Sequence, residues 1–276
     1  MAFGQKCYYC GIAETTDELF YCYDCLQKMK IMFDSNINVI ENPMHQEHCI
    51  SCGEWENRRI VYPHQTVFIC DRCVEREMKK YKGEEVKRML EEAFPKTLNY
   101  NFDDILNVLP LETVNNVYRS CSEAKVEYKV ENFYVKIPYR IYLLEPDDTY
   151  IDSLNDEQKL MLYCIYTRSS NGYIREKFVR KVLENDFKSW CLPFVVKLCD
   201  EYVVEILETI YDGLKERENE DLKFFCLDNK EKICKGYARM TSYWNEFYRD
   251  KEYYFRNYIG RTIFKNCFGY SRSFEK

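Results

Sequence analysis

The amino-acid sequence predicts a mainly helical protein with small α+β modules at its N-terminus and a short β-hairpin between the two parts. Three observations lead to this fold class. Two four-cysteine units lie within the first 75 residues, apolar and polar residues alternate between 126 and 137, and helical periodicity runs from residue 152 onward. The chain is therefore expected to contain more than one kind of structural unit.

The composition is that of a folded chain. Of its 276 residues, 46% are hydrophobic and 16% aromatic, and only nine are Gly and seven Pro, so no disordered tail is expected. The longest apolar stretches, 160–166 and 192–196, fall well short of the roughly 20 residues of a membrane-spanning helix. The start, MAFGQKCYYC, does not resemble a signal peptide, and we expect a cytoplasmic protein with no membrane partner.

Charge is distributed unevenly along the chain, whose formal net charge is −6. Residues 1–80 carry −3 and residues 81–228 carry −9, whereas residues 229–276 carry +6, from 11 basic and 5 acidic side chains. The acidic majority argues against a general nucleic-acid binder, because contacts with phosphate dominate such affinity. A local basic site at the C-terminal end is compatible with these counts.

An internal repeat carries the metal-binding signal. CYYCG at 7–11 matches CISCG at 49–53, and LFYCYDC at 19–25 matches VFICDRC at 67–73. Zinc prefers a tetrahedron of thiolates, and two CxxC pairs supply four sulfurs. We therefore predict two zinc ions per chain, held by two sets of cysteines: Cys7, Cys10, Cys22 and Cys25, then Cys49, Cys52, Cys70 and Cys73.

The details of the repeat favour structural zinc. Gly11 and Gly53 follow the first pair of each unit, where a positive φ is commonly needed. Four thiolates leave no open coordination position, so the metal is expected to stabilise the fold rather than to catalyse. The matching flanks disfavour a chance arrangement, and duplication of a whole unit favours sequential sites over cross-braced ones. His48, beside Cys49, is interpreted as a loop residue rather than a ligand or a tuning residue.

Each repeat resembles a treble-clef zinc finger, with a CxxCG knuckle, a β-leaning run ending in the second CxxC and a helix-forming segment. Residues 49–75, in which sixteen residues ending in TVFI separate CISCG from CDRCV, resemble the zinc-binding domain of the ClpX unfoldases; residues 7–30 resemble it more distantly. That domain dimerises and docks substrates and adaptors, so the resemblance implies protein recognition, with a dimer through the second finger. The chain lacks the phosphate loop of the family's ATPase.

Periodicity predicts the elements that follow. The helix of the second repeat, which begins with the helix-forming segment VEREMKKYK after Cys73, runs through 84–94 and ends before Pro95. A short helix lies near 102–109, and a hairpin occupies 126–137. Ser153-x-x-Asp156 is interpreted as a capping box and Asp200 as the cap of a helix over 201–216. Residues 154–215 resemble a HEAT-like helical repeat, which implies a surface for partners.

These elements predict four domains. Residues 1–45 form the first treble-clef finger and residues 46–95 the second, with an extended helix. Residues 96–150 form a mixed connector with the hairpin, and residues 151–276 a helical HEAT-like domain. Seven lone cysteines in the last two parts are predicted to be small core residues.

The basic C-terminal segment supplies candidate nucleic-acid-binding residues, because cations interleaved with aromatic rings can bind phosphates and bases. The alternative is a terminal helix pair whose aromatics pack in the core while its cations stay in water, and the sequence favours that interpretation. The candidate cations are Arg239, Arg249, Arg256, Arg261 and Lys265, and the aromatics are Tyr243, Trp244, Tyr248, Tyr253, Tyr254 and Tyr258.

The sequence favours a binding protein over an enzyme. No histidine follows His64, which excludes a Ser-His-Asp or Cys-His nucleophile in the helical part, although chemistry by carboxylates alone stays open. The leading hypothesis is an intracellular adaptor that recognises a protein partner through its zinc fingers and helical unit. The competing hypothesis is a nucleic-acid-associated factor, in transcription or defence, that uses the fingers or the basic aromatic segment.

Overall fold

The protein is mainly helical, as predicted. The computed structural model describes residues 5–6, 14–15, 47–48, 55–56, 71–98, 102–112, 119–217 and 220–274. The chain divides into two compact units, Met1–Tyr81 and Lys82–Lys276. Within the described residues, no helix combines the length and the apolar character that crossing a bilayer requires.

The first unit contains two short antiparallel ladders. Strand β1 (Gln5–Lys6) pairs with β2 (Glu14–Thr15), and β3 (Glu47–His48) pairs with β4 (Trp55–Glu56). In both ladders the first strand ends directly before the first cysteine of a CxxC pair in the sequence. The repeat seen in the sequence therefore recurs in the strand pairing.

The second unit combines a two-stranded hairpin with short helices that share one hydrophobic core. The second unit begins at Lys82, which lies inside the helix Asp71–Ala93. The described helices and strands after the ladders are α1 (Asp71–Ala93), α2 (Asp103–Val108), β5 (Lys125–Val130), β6 (Phe133–Pro138), α3 (Asp148–Ile151), α4 (Asp156–Tyr166), α5 (Gly172–Glu184), α6 (Leu192–Leu198), α7 (Val204–Leu214), α8 (Glu220–Asp228), α9 (Lys230–Tyr243) and α10 (Ile259–Thr262).

Helix α1 enters this core through residues at helical spacing. Val86, Met89 and Leu90 are fully buried, and Phe94 follows at the end of the helix, before Pro95. The Phe94 ring lies 5.4 Å from both Trp190 and Phe194, measured between ring centroids. The predicted end of this helix is confirmed, and its start at Asp71 lies just before the helix-forming segment that follows Cys73.

The predicted hairpin is confirmed. Tyr128 pairs with Val135 across the ladder, and both side chains are buried, as the alternating pattern requires. The buried Asn229 joins the hairpin to the helices: its Nδ2 donates to the Lys129 carbonyl at 2.8 Å, and its Oδ1 accepts from the Lys129 amide at 2.9 Å. A side-chain amide thus satisfies both backbone groups of Lys129, as a neighbouring strand would.

Both predicted helix caps are wrong. Helix α4 starts with a capping box formed by Asn155 and Gln158, two residues after the predicted one, while Ser153 Oγ donates to the Tyr150 carbonyl. Helix α7 starts at Val204 without a side-chain cap. Asp200 instead forms ion pairs with two cations, so a long-range interaction uses the carboxylate that a local pattern assigned to the helix.

Helices α5 and α7 approach each other closely, and a glycine permits the contact. A Cβ atom at Gly213 would lie 2.9 Å from Leu183 Cδ1 and 3.1 Å from Leu183 Cβ, both too short for carbon atoms. The buried stripe of α7 matches the predicted apolar pattern at Ile206, Leu207 and Ile210. The HEAT-like resemblance of this region stays a prediction.

The lone cysteines follow the core prediction with one exception. Cys234 on α9 is exposed, although Ile233 and Tyr237 on the same helix are buried. The others are buried: Cys121, Cys164, Cys191, Cys199, Cys226 and Cys267.

Candidate nucleic-acid interface

Seven of the eight predicted zinc ligands lie outside the described residues: Cys7, Cys10, Cys22, Cys25, Cys49, Cys52 and Cys70. Cys73 lies in the first turn of α1 and is buried. Across the described ranges, no three His, Cys, Asp or Glu side chains are grouped so that they could hold a metal. The zinc sites therefore stay a prediction at this point.

The predicted nucleic-acid-binding cations separate into two groups. Arg249, Arg256 and Lys265 are exposed and Arg261 is half-buried, and none of the four lies within 4.0 Å of a carboxylate in the described part of the chain. Arg239, by contrast, pairs with Asp200 at 2.9 Å. Four of the five cations therefore have no direct ion pair with a described residue that would compensate their charge.

The aromatic residues of this segment divide between core and surface. Tyr258 is buried and stacks on Tyr248 with ring centroids 5.6 Å apart, which fits the core interpretation. Tyr253 and Tyr254 do not fit it, because 66% and 57% of their surfaces are exposed. The Arg256 guanidinium lies 5.0 Å from the centroid of the Tyr254 ring, so an exposed ring and an unpaired cation are adjacent.

A buried charge cluster, which the sequence patterns did not reveal, centres on Glu201. Its Oε1 lies 2.8 Å from Arg140 Nη1 and 3.1 Å from Arg168 Nη2, and its Oε2 lies 3.1 Å from Arg175 Nε. The last contact is an ion pair without hydrogen-bond geometry. The Glu201, Arg168 and Arg175 side chains are almost completely buried, whereas Arg140 is 29% exposed.

The preceding residue extends the cluster. Asp200 Oδ1 lies 2.5 Å from Lys197 Nζ, and Asp200 Oδ2 lies 2.9 Å from Arg239 Nη1. Lys197 is buried and also lies 4.8 Å from the centroid of the Tyr139 ring. Among the described residues, these ion pairs join five cations to two carboxylates, so this part of the cluster has more positive than negative groups.

Electrostatics favour the ionised form of Glu201. Burial by itself would raise the pKa of Glu201, but the charges of Arg168, Arg175 and Arg140 outweigh it and lower that pKa below its ordinary value. Backbone carbonyls of Pro138 and Tyr139 accept hydrogen bonds from Arg168 at 3.2 and 2.7 Å. A carboxylate whose pKa is lowered by three guanidinium groups is a poor proton acceptor, so this arrangement is suited to binding anions rather than to acid–base catalysis.

A ring cluster adjoins the charge cluster through the next residue in the chain. The Tyr202 ring contacts the rings of Tyr243 and Phe247, with centroids 5.7 and 5.6 Å apart. Tyr202 and Phe247 are about half exposed. Asp200 and Glu201 therefore pair with cations, and the next residue, Tyr202, contacts exposed aromatic rings.

The sequence contained one signal for this site. Asp200 and Glu201 are adjacent acids between two strongly apolar helices, an unusual place for charge without partners, whereas the partner arginines lie far away in sequence. No family model matches the chain, and no curated protein or solved structure matches it either.

Proposed function

We propose that the chain is a zinc-containing recognition protein whose C-terminal part binds nucleic acid. The observation that carries the proposal is the group of four cations without a described carboxylate partner: Arg249, Arg256, Arg261 and Lys265. Elsewhere in the described chain, many basic side chains pair with acids, such as Lys129 with Asp228 at 2.8 Å. Unpaired cations on one short segment are what a polyanion requires, because it supplies the missing charges itself.

The exposed rings support the same partner. Tyr253 and Tyr254 contact each other with centroids 5.3 Å apart and remain largely in water beside Arg256. Large exposed rings are unfavourable in water, and bases can stack on them. The segment thus offers both of the contacts that nucleic acids use, although the whole chain is acidic.

The predicted zinc units fit the first unit of the structure. In a treble-clef arrangement, one cysteine pair lies in a β-knuckle and the other at the start of a helix. The paired strands β1–β2 and β3–β4 enclose Cys7, Cys10, Cys49 and Cys52 in the sequence, and α1 begins immediately after Cys70. We propose that each unit binds one structural zinc ion through its four thiolates.

Charge reversal tests the nucleic-acid proposal. The full-length triple variant Arg249→Glu, Arg256→Glu, Arg261→Glu is compared with wild type by fluorescence anisotropy on a labelled oligonucleotide. The control triple variant Lys96→Glu, Arg119→Glu, Lys188→Glu changes the net charge equally at exposed positions elsewhere. We expect the first variant to lose most of its affinity and the control to lose little, because position rather than total charge decides binding.

Equal losses in the two triple variants would contradict a binding site at this segment. Circular dichroism of both variants establishes that helix content is retained. Failure of the wild type to bind any oligonucleotide at low salt would refute the proposal.

A protein partner is the second candidate, and a different surface favours it. Phe224 and Leu227 on α8 are 65% and 46% exposed and lie one turn apart. Tyr134 on β6, 67% exposed, lies opposite Lys129 in the hairpin, and Lys129 pairs with Asp228 of α8. Neighbouring exposed apolar side chains are typical of protein interfaces. The second finger would add a dimer contact, as its resemblance to the ClpX zinc-binding domain implies.

Copurification separates the two candidates. A protein that remains bound to the wild type but is lost from both Phe224→Ser and Cys70→Ser would support the adaptor hypothesis. Light scattering on the wild type and on Cys70→Ser tests the dimer directly. If the copurifying material is instead nucleic acid, removed by nuclease, the first proposal is favoured.

A further inference from the structure

We infer that the surface around Tyr202 holds one base and an adjacent phosphate of a single-stranded nucleic acid. The inference rests on the proposed function and specifies which form of nucleic acid the protein takes. It starts from the loop between α6 and α7, where Asp200, Glu201 and Tyr202 follow one another. The carboxylates of Asp200 and Glu201 form ion pairs with arginine and lysine side chains, and the Tyr202 ring contacts other aromatic rings.

The rings form one cluster at the surface. Tyr202 contacts Tyr243 and Phe247, and the latter two lie 6.1 Å apart between centroids. Their exposure, 49% for Tyr202 and 53% for Phe247, leaves ring surface accessible. An aromatic surface of this kind accepts any base, because every base has a flat π-face.

The backbone holds this cluster in place. The Tyr248 hydroxyl donates a hydrogen bond to the Tyr202 carbonyl, and the Tyr248 ring stacks on the buried Tyr258. Phe247 lies in a π-helical turn, Trp244–Tyr248, that continues α9. Such turns are rare and frequently occur at functional sites. Because the loop is anchored to the core, binding would lose little conformational freedom.

Two partly exposed guanidinium groups pair with the two residues that precede Tyr202 in the chain. Arg239 is four residues before Tyr243 on α9 and pairs with Asp200, and Arg140 pairs with Glu201. Their side chains are 40% and 29% exposed. Both arginines therefore form ion pairs with the two residues that directly precede Tyr202. If a base stacks on Tyr202, its phosphate would lie near these two arginines.

The charge of the cluster argues for an anion. Among the described residues, five cations share two carboxylates, and Arg168, Arg175 and Lys197 are almost fully buried. Excess buried positive charge is unfavourable unless a negative group compensates it. A phosphate at the exposed edge, near Arg140 and Arg239, would do so. An apolar peptide could cover the rings but would leave this excess unchanged.

The rings argue for a single strand. In a duplex the bases stack on each other and their faces are covered, so only unpaired bases can stack on a protein ring. A site that combines exposed rings with arginine is therefore expected to prefer single-stranded to double-stranded nucleic acid.

The test uses the full chain and two labelled oligonucleotides of equal length, one of thymidines and one with abasic sugars. The double variant Tyr202→Ala, Phe247→Ala removes two of the three rings, and Tyr202→Phe keeps all three. Tyr173→Ala, at an 86% exposed tyrosine on α5, is the control. We expect the double variant to bind the thymidine oligonucleotide roughly tenfold or more weakly and the abasic one unchanged. Tyr202→Phe and the control should bind both as the wild type does.

Three outcomes would overturn the inference. The first is wild-type affinity of the double variant for thymidines. The second is an equal loss of affinity for both oligonucleotides, which would assign the rings a structural role. The third is equal competition by duplex and single strand. If the wild type binds and the Arg249, Arg256 and Arg261 reversal abolishes binding, the proposed function survives any of these outcomes; no wild-type binding would refute both.

Discussion

Arg168 and Glu201 form a buried ion pair in the helical unit, with Arg168 Nη2 3.1 Å from Glu201 Oε1 and the Arg168 side chain fully inaccessible to solvent. Glu201 is also the shared partner of Arg140 and Arg175. One carboxylate therefore compensates three guanidinium groups. This arrangement makes Glu201 the most consequential single residue of the cluster.

Glu201→Gln should destabilise the protein by about 3–5 kcal/mol, because the buried Arg168 and Arg175 and the partly exposed Arg140 would lose the carboxylate that they share. The free energy of unfolding, measured by urea denaturation, checks this value. Glu205→Gln is the matched control, since Glu205 is exposed on the adjacent helix. It should change the same quantity by less than about 0.5 kcal/mol. Similar effects of the two substitutions would show that the cluster does not stabilise the fold.

Stability should depend on pH through Glu201. Because the pKa of Glu201 is lowered in the folded protein from its ordinary value of 4.5, its contribution is fully present above that value and is lost as the pH falls through the folded pKa. The difference in unfolding free energy between wild type and Glu201→Gln should therefore shrink on acidification below pH 4.5. A difference that stays constant from neutral to acidic pH would contradict the lowered pKa.

Two of the helical glycines, Gly213 and Gly83, should respond differently to alanine. A Cβ at Gly213 clashes with Leu183, whereas one at Gly83 meets Leu111 Cδ1 at an ordinary 3.6 Å. Alanine raises helix propensity by about 1 kcal/mol at either site, and the clash costs roughly 1–3 kcal/mol at Gly213 alone. Gly213→Ala should thus have a lower midpoint in thermal denaturation than Gly83→Ala. If the two substitutions stabilised the protein equally, α5 and α7 would pack less closely than the structure indicates.

Zinc content should follow the cysteine assignment. Elemental analysis of the purified wild type should give two zinc ions per chain, and Cys25→Ser or Cys70→Ser should each lower the content to one. Cys234→Ser, at an exposed thiol on α9, is the control and should retain both ions. One ion or none in the wild type would refute two sequential four-cysteine sites.

Local patterns were sufficient for the elements whose residues contact neighbours in sequence. The spacing of Val86, Met89 and Leu90 predicted the buried face of α1, and alternation around Tyr128 and Val135 predicted the hairpin. In both cases the side chains of one face are buried, and these residues recur every few positions along the sequence. The pattern is therefore visible in a short stretch of sequence. The zinc ligands of the first unit stay a prediction that is based on the sequence repeat.

Long-range polar contacts were not predictable in this way. Arg168 and Glu201 are 33 residues apart, and Asn229 lies 100 residues from the Lys129 backbone that it bonds. A charged side chain normally lies at the surface, so no local pattern indicates that an arginine is buried. The same limit explains the mistaken cap at Asp200, whose carboxylate pairs with Arg239 on a distant helix.

The salt dependence of binding tests the central claim most directly. The association constant of the wild-type protein for a single-stranded oligonucleotide is measured by anisotropy over a range of salt concentrations. If Arg249, Arg256, Arg261 and Lys265 each contact a phosphate, the logarithm of that constant should fall with the logarithm of salt with a slope of about −3, since each contact contributes about −0.7. A slope near zero, or no binding at the lowest salt concentration, would contradict a nucleic-acid-binding function.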